Sequence, residues 1–173
     1  MGCELVSGIN GICNYSASGV ERLWVANKSE ISATDYDTNG EVTGITFTTT
    51  GGTFYEIVPA LDSATFQDDL QVNGSRRNFL QTVNFGVASL TGGSIVTILE
   101  TIGLSNMVAI VKTAEGYYRA LGLKGSGLRT TVMTETSGTS AGNDSAFAVT
   151  IAGNATGKAS FVTDACMTTL GIL

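Results

Sequence analysis

Apolar and polar residues alternate along most of the chain, the period-2 pattern of strands that bury one face. Arg22-Leu23-Trp24-Val25-Ala26 opens this pattern as a β-rich run and is followed by a polar stretch, Asn27–Glu41. Thr43–Thr48 and Thr53–Val58 flank Gly51-Gly52, a pair suited to a tight hairpin turn, and Pro59, the single proline, closes the second run. Asn73-Gly74 predicts another hairpin, between Ser63–Val72 and Asn78–Phe85. In the second of these, Phe79, Gln81, Val83 and Phe85 fall on one face and Leu80, Thr82 and Asn84 on the other, as in a sheet with one wet side. Met107–Lys112 and Tyr117–Leu121, joined through Ala114-Glu115-Gly116, continue the pattern. Leu128–Glu135 and Ala146–Ile151 follow across the polar loop Thr136–Asp144.

One segment departs from alternation. Between Gly92 and Leu104, Ile95, Ile98, Leu99 and Ile102 recur at i, i+3, i+4 and i+7, which predicts an amphipathic helix. Thr91 or Ser94 would cap its start, and Gly103 stands near its end. Phe161–Leu173 reads as a short strand or an extended arm. About eight to ten short strands with one helix predict a mainly β fold, a sandwich or barrel with one flanking α-helix. No repeat of fixed period and no composition break interrupts the chain, so residues 1–173 are read as a single domain.

Composition narrows the function more than the fold. The chain has no His, which removes the side chain most used as a general base near neutral pH and the commonest metal ligand. Nine Lys+Arg against 15 Asp+Glu give a net charge of −6, the wrong sign for broad phosphate-backbone binding. The longest apolar runs, such as Met107–Val111, fall far short of the roughly 20 residues of a membrane helix, so no membrane association is expected. Met1-Gly2-Cys3-Glu4 has neither a basic nor an apolar signal region, and Val6 stands where myristoylation needs Ser or Thr. Without a secretory signal, Cys3, Cys13 and Cys166 read as small buried thiols rather than a disulfide framework.

Each motif with catalytic potential meets an objection. Gly138-Thr139-Ser140-Ala141-Gly142 matches G-x-S-x-G, but it lies in a loop between strands and has no His to activate the serine. Gly122-Leu123-Lys124-Gly125-Ser126-Gly127 lacks the order of a phosphate loop, and a strand follows it where a helix N-terminus is needed. Asp35–Glu41 partly resembles a calcium loop, but its twelfth position is Thr46 rather than a bidentate Glu. Asp68 and Asp69, adjacent on a strand, point to opposite faces. Five of the ten Asn lie in N-x-[ST] sequons, where about two are expected by chance in a chain this rich in Ser and Thr, and without a secretory signal glycosylation is moot. Trp24 with Tyr117-Tyr118 would suit sugar stacking, although aromatics in strands more often serve a core or a subunit interface. No catalytic residue, cofactor or metal site is expected. The remaining candidates are subunit contacts: Asn73, Gly74, Arg76 and Arg77 at a hairpin tip that holds the only basic cluster, and Trp24.

Read in order, the chain resembles small virion proteins of tailed phages, in particular a group from phages of Bacteroidota hosts. The resemblance is carried first by Cys3-Glu4-Leu5 with Gly8 and Cys13, and by Gly19-Val20 leading into Leu23–Asn27. It continues at Gln81-Thr82-Val83-Asn84-Phe85 ahead of the helix. Late in the chain it lies in Gly116–Gly122, Gly127-Leu128, Ser137-Gly138-Thr139, Asp144 and Phe147-Ala148-Val149-Thr150. It implies a tail-tube-like fold assembled as homohexameric rings that stack into a conduit for DNA. Hairpins would join into an inner barrel, with Thr43–Val58 and Ser63–Ala88 supplying a wetted lumen face. The N-terminal 1–20 and C-terminal 160–173 arms would contact neighbouring subunits. Other tail or neck proteins and the tape measure would be its partners. It would be located in the virion tail after assembly in the host bacterial cytoplasm, with DNA passing through unbound. An acidic lumen would repel phosphates. A neck or connector ring of the same fold, or the tube of a contractile injection system, are the related alternatives. A carbohydrate-binding β-sandwich is a remote one.

Overall fold

The computed structural model describes residues 19–59, 63–88, 100–136 and 146–172. Among these, eleven strands make two sheets, with few helical residues. The strands are β1 (Val20–Asn27), β2 (Ile31–Tyr36), β3 (Val42–Phe47), β4 (Tyr55–Ile57), β5 (Thr65–Asn73), β6 (Arg76–Ala88), β7 (Met107–Thr113), β8 (Tyr118–Leu121), β9 (Arg129–Thr136), β10 (Ala146–Ala155) and β11 (Ser160–Val162). A 3-10 turn, Lys28–Glu30, separates β1 from β2, residues 100–104 are helical, and a short helix, Asp164–Thr169, follows β11. The fold is mainly β, as the alternation predicts. Of the helix expected from Gly92 to Leu104, residues 92–99 lie outside the described residues.

The larger sheet has the order β2-β3-β11-β8-β7-β1-β4 and the smaller one β5-β6-β10-β9. Their facing sides form one core. Leu23, Val25, Ala109, Val111 and Leu121 of the large sheet pack with Val83, Phe85, Phe147, Val149 and Ile151 of the small one. The other side of the large sheet is also covered. Trp24, Val108, Ile110 and Tyr118 lie there against Phe54 and against Cys166 and Met167 of the C-terminal helix. Cover on both sides explains why Met107–Val111 is buried without alternation, whereas strands of the small sheet alternate.

Two expectations need correction. Thr43–Val58 is not a hairpin: β3 pairs with β2 and β11, whereas β4 pairs with β1 near the opposite edge of the sheet. The Gly51-Gly52 turn does form, with Gly52 N–H donating to Thr49 O at 3.0 Å. The chain then crosses the outer side of the sheet so that Phe54 is buried edge-on against Phe47, with ring centroids 5.7 Å apart. A Cβ at Gly52 would lie 2.7 Å from the Phe47 ring, so glycine there permits the close packing, while Gly51, at φ 99°, makes the turn. The second correction concerns the expected C-terminal arm, residues 160–173. Described through residue 172, it is a strand inserted between β3 and β8 followed by a packed helix. Thr163 caps that helix by accepting from Cys166 N–H, and Gly171, at φ 70°, ends it. The N–H groups of Gly171 and Ile172 return to Thr168 O and Met167 O, a Schellman ending. Residues 1–18 of the expected N-terminal arm lie outside the described residues.

Candidate assembly surfaces

The backbone and carboxylate groups suggestive of ligand loops are engaged within the fold. Gly122 N–H donates to the buried Gln81 Oε1 at 2.8 Å, and Lys124 O accepts from Thr156 N–H at 3.0 Å. The 122–127 loop is therefore a joint between sheets rather than a phosphate cradle. Asp37 Oδ1 accepts from the N–H groups of Asn39 and Glu41, at 2.9 and 2.8 Å, and so holds the β2–β3 turn. Among the described residues, no group of three or more His, Cys, Asp or Glu lies together as a metal site. Asp68 and Asp69 do face opposite ways. Asp68 accepts from Ala159 N–H at 2.8 Å, and Asp69 is exposed on the other side. The G-x-S-x-G run at 138–142 lies outside the described residues.

Charged groups form local pairs. Lys112 Nζ lies 2.6 Å from Glu21 Oε2, which holds the Glu21 carboxyl below its ordinary pKa and the Lys112 ammonium above. Lys28 donates to Leu123 O at 3.0 Å, and partial burial lowers its pKa. Arg119 lies 3.5 Å above the centre of the Phe161 ring, where burial lowers its pKa and the Asp68 charge acts against that. Burial also pushes the Cys166 thiol upward.

Trp24 does not serve as a subunit contact or a sugar platform. It is 4% exposed, tilted against Tyr118 with ring centroids 6.1 Å apart, and belongs to the core of its own chain. Tyr117 is the exposed member of the pair, edge-on to Phe161.

The β5–β6 hairpin carries the other candidates, and its geometry is informative. Asn73 and Arg76 are paired across the Gly74 turn, with Gly74 at φ 61°, and Arg76 and Arg77 are both exposed. On one side, the β6–β10 pairing reaches only to Phe79↔Ala155. Beyond it, Gln71 through Asn78 form a two-stranded ribbon that projects past the small sheet. Strand alternation puts Leu70, Val72, Arg77 and Phe79 on the ribbon side continuous with the core. Leu70 and Val72 are 54% and 62% exposed. The Asn73-Gly74 dipeptide marks the turn, but the exposure of these apolar residues depends on where β10 ends, which no local signal reveals.

One further feature was not readable from sequence, and a second follows the predicted alternation. The small sheet ends in two long edge strands, β5 and β9, each with an unpaired backbone edge within the described fold. Its solvent side is polar and largely uncharged. Thr65, Asn84 and Thr150 form a hydrogen-bonded ladder, with Asn84 Nδ2 to Thr65 Oγ1 at 3.3 Å and Thr150 Oγ1 to Asn84 Oδ1 at 2.8 Å. Asn78 donates to Asn154 at 2.8 Å on the same side, and Gln67 pairs with Thr82 there. Among the described residues, no helix is long and apolar enough to cross a membrane. Compared with family models, curated proteins and solved structures, the chain matches none of them.

Proposed function

We propose that this chain is a non-enzymatic structural subunit that assembles with copies of itself into rings, and specifically the tube subunit of a phage tail. The observation that carries this reading is the small sheet: two edge strands with no strand partner among the described residues on their outer sides, and a projecting hairpin with exposed Leu70 and Val72. Its four strands are antiparallel throughout, so β5 and β9 run in opposite directions. β5 of one copy laid along β9 of the next continues the same antiparallel ladder. That is a heterologous contact, and heterologous contacts close into rings when the rotation allows. Pairing the edges between copies also resolves the liability of leaving them open.

In such a ring the Thr65–Asn84–Thr150 side of the small sheet lines the bore. This side departs from the expected acidic lining. Hydroxyl and amide groups dominate it, so DNA would neither be held by counter-charge nor strongly repelled. The six-fold rings and the tail itself rest on the resemblance described above, and the fold is compatible with them. Burial of Trp24 withdraws one of the aromatics that would support a sugar-binding reading, whereas Tyr117 remains exposed. Electron microscopy and sedimentation of the purified chain test the proposal. Stacked rings of uniform diameter are expected, whereas a monodisperse monomer at every concentration examined would overturn it.

A further inference from the structure

The solvent side of the small sheet carries one charge of each sign at its two margins. Asp69 lies on β5, on the side shared with Thr65 and Gln67, and is exposed. Its carboxylate has no hydrogen-bond or ion-pair partner among the described residues. Arg129 begins β9 opposite Ala152, on the side shared with Thr150 and Val132, and is exposed as well. It donates through Nε to Asn106 Oδ1 at 2.8 Å and pairs with no carboxylate among the described residues. Within one subunit the two charges are held apart by β6 and β10, a separation of three strand spacings or about 14 Å. Across a junction of β5 with β9 they can meet.

Resting on the ring reading above, we infer that β5 of one copy pairs with β9 of the next in a single register, with Asp69 opposite the next copy's Arg129. Registers that keep the core-facing rows together differ by steps of two residues, because a slip of one exchanges the two sides. In the proposed register, with the bulge at Thr131 followed, Gln67 meets Val132 and Thr65 meets Thr134 on the solvent side. On the core side Phe66, which shares its side with Val83, meets Met133, which shares its side with Val149. Apolar thus meets apolar where charge meets countercharge. A step of two toward the hairpin tip sets Arg129 against Gln71 and loses the ion pair. A step of four sets Glu135, which lies on the core side opposite Phe147, against Asp68, and facing like charges destabilise. A step of two the other way leaves Asp69 beyond the start of β9. In the proposed register the ribbon from Gln71 to Asn78 runs on past the first residue of the neighbour's β9.

Two measurements on the full chain test this. Asp69→Arg is expected to weaken assembly about tenfold in sedimentation, and Arg129→Asp in the same chain to restore it. Under mild oxidation, chains carrying Gln67→Cys should form a cross-linked dimer with chains carrying Val132→Cys, and much less with chains carrying Thr134→Cys. Rings that yield neither cross-link, or that yield the one between positions 67 and 134 in excess, overturn the register while leaving the ring reading intact. So does assembly indifferent to Asp69→Arg. Wild-type chains that never associate overturn both.

Discussion

Gln81 shows how much one polar side chain can organise. It is 1% exposed on the inner side of β6, accepts from Gly122 N–H, and donates to Gly157 O at 3.3 Å. One amide thus ties the small sheet to two loops of the rest of the fold. Gln81→Leu keeps the bulk but leaves two backbone groups without partners, and should cost about 2–4 kcal/mol in chemical denaturation. Trp24→Ala should cost about 3–5 kcal/mol in the same measurement through the cavity it opens, because the ring is core. The Glu21–Lys112 pair predicts an acid-side dependence. The Glu21 pKa is lowered from 4.5 in the fold, so the pair's contribution is complete above 4.5 and is lost as pH falls through the folded value. Glu21→Gln should flatten that part of a stability–pH curve. Lys28 gives a slope of the same sign on the alkaline side, because burial disfavours its charged form. Its pKa is lowered from 10.5, so stability should rise as pH climbs from the folded value toward 10.5.

At the scale of elements, the hairpin and the crossover of β10 behave differently. Residues 71–78 lie mostly beyond the sheet, so replacing them with a two-residue turn should leave the melting temperature nearly unchanged while abolishing ring formation. Gly153 on β10 is the reverse case. A Cβ there would lie 2.3 Å from Gly127 O, which is backbone and has little room to yield, so Gly153→Ala should prevent normal folding as judged by near-ultraviolet circular dichroism. The elements that sequence made legible were those with local signals. Asn73-Gly74 located the β5–β6 turn, Ala114-Glu115-Gly116 the β7–β8 turn, and alternation the buried row Gln81, Val83 and Phe85. The missed elements depend on distant partners. The six-residue C-terminal helix is too short for a clear period, although Thr163 as cap and Gly171 as stop were present to be read. β2 hides in a polar stretch because it is an edge strand with no fully buried residue. The groove lined by Tyr55 and Ile102 was illegible for the same reason, since these residues are 47 positions apart in sequence and come together only in the fold.

For the whole molecule, the largely uncharged side of the small sheet makes a prediction about DNA passing through the proposed bore. Assembled wild-type material should leave DNA mobility unchanged in a low-salt gel, whereas Thr82→Lys with Thr150→Lys should retard it, with the effect fading as salt rises. The absence of His also means that no side chain with an ordinary pKa near 6.5 can switch assembly across neutral pH. The position of β11 has a temporal meaning. β2 and β3 reach the rest of their sheet only through β11, which aligns parallel to β3 at Val42↔Val162. A growing polypeptide on the ribosome therefore holds an unfinished sheet until residue 162 has emerged. If the chain assembles as proposed, translation itself would act as a clock, holding back any contact that needs the finished large sheet until that residue is in place.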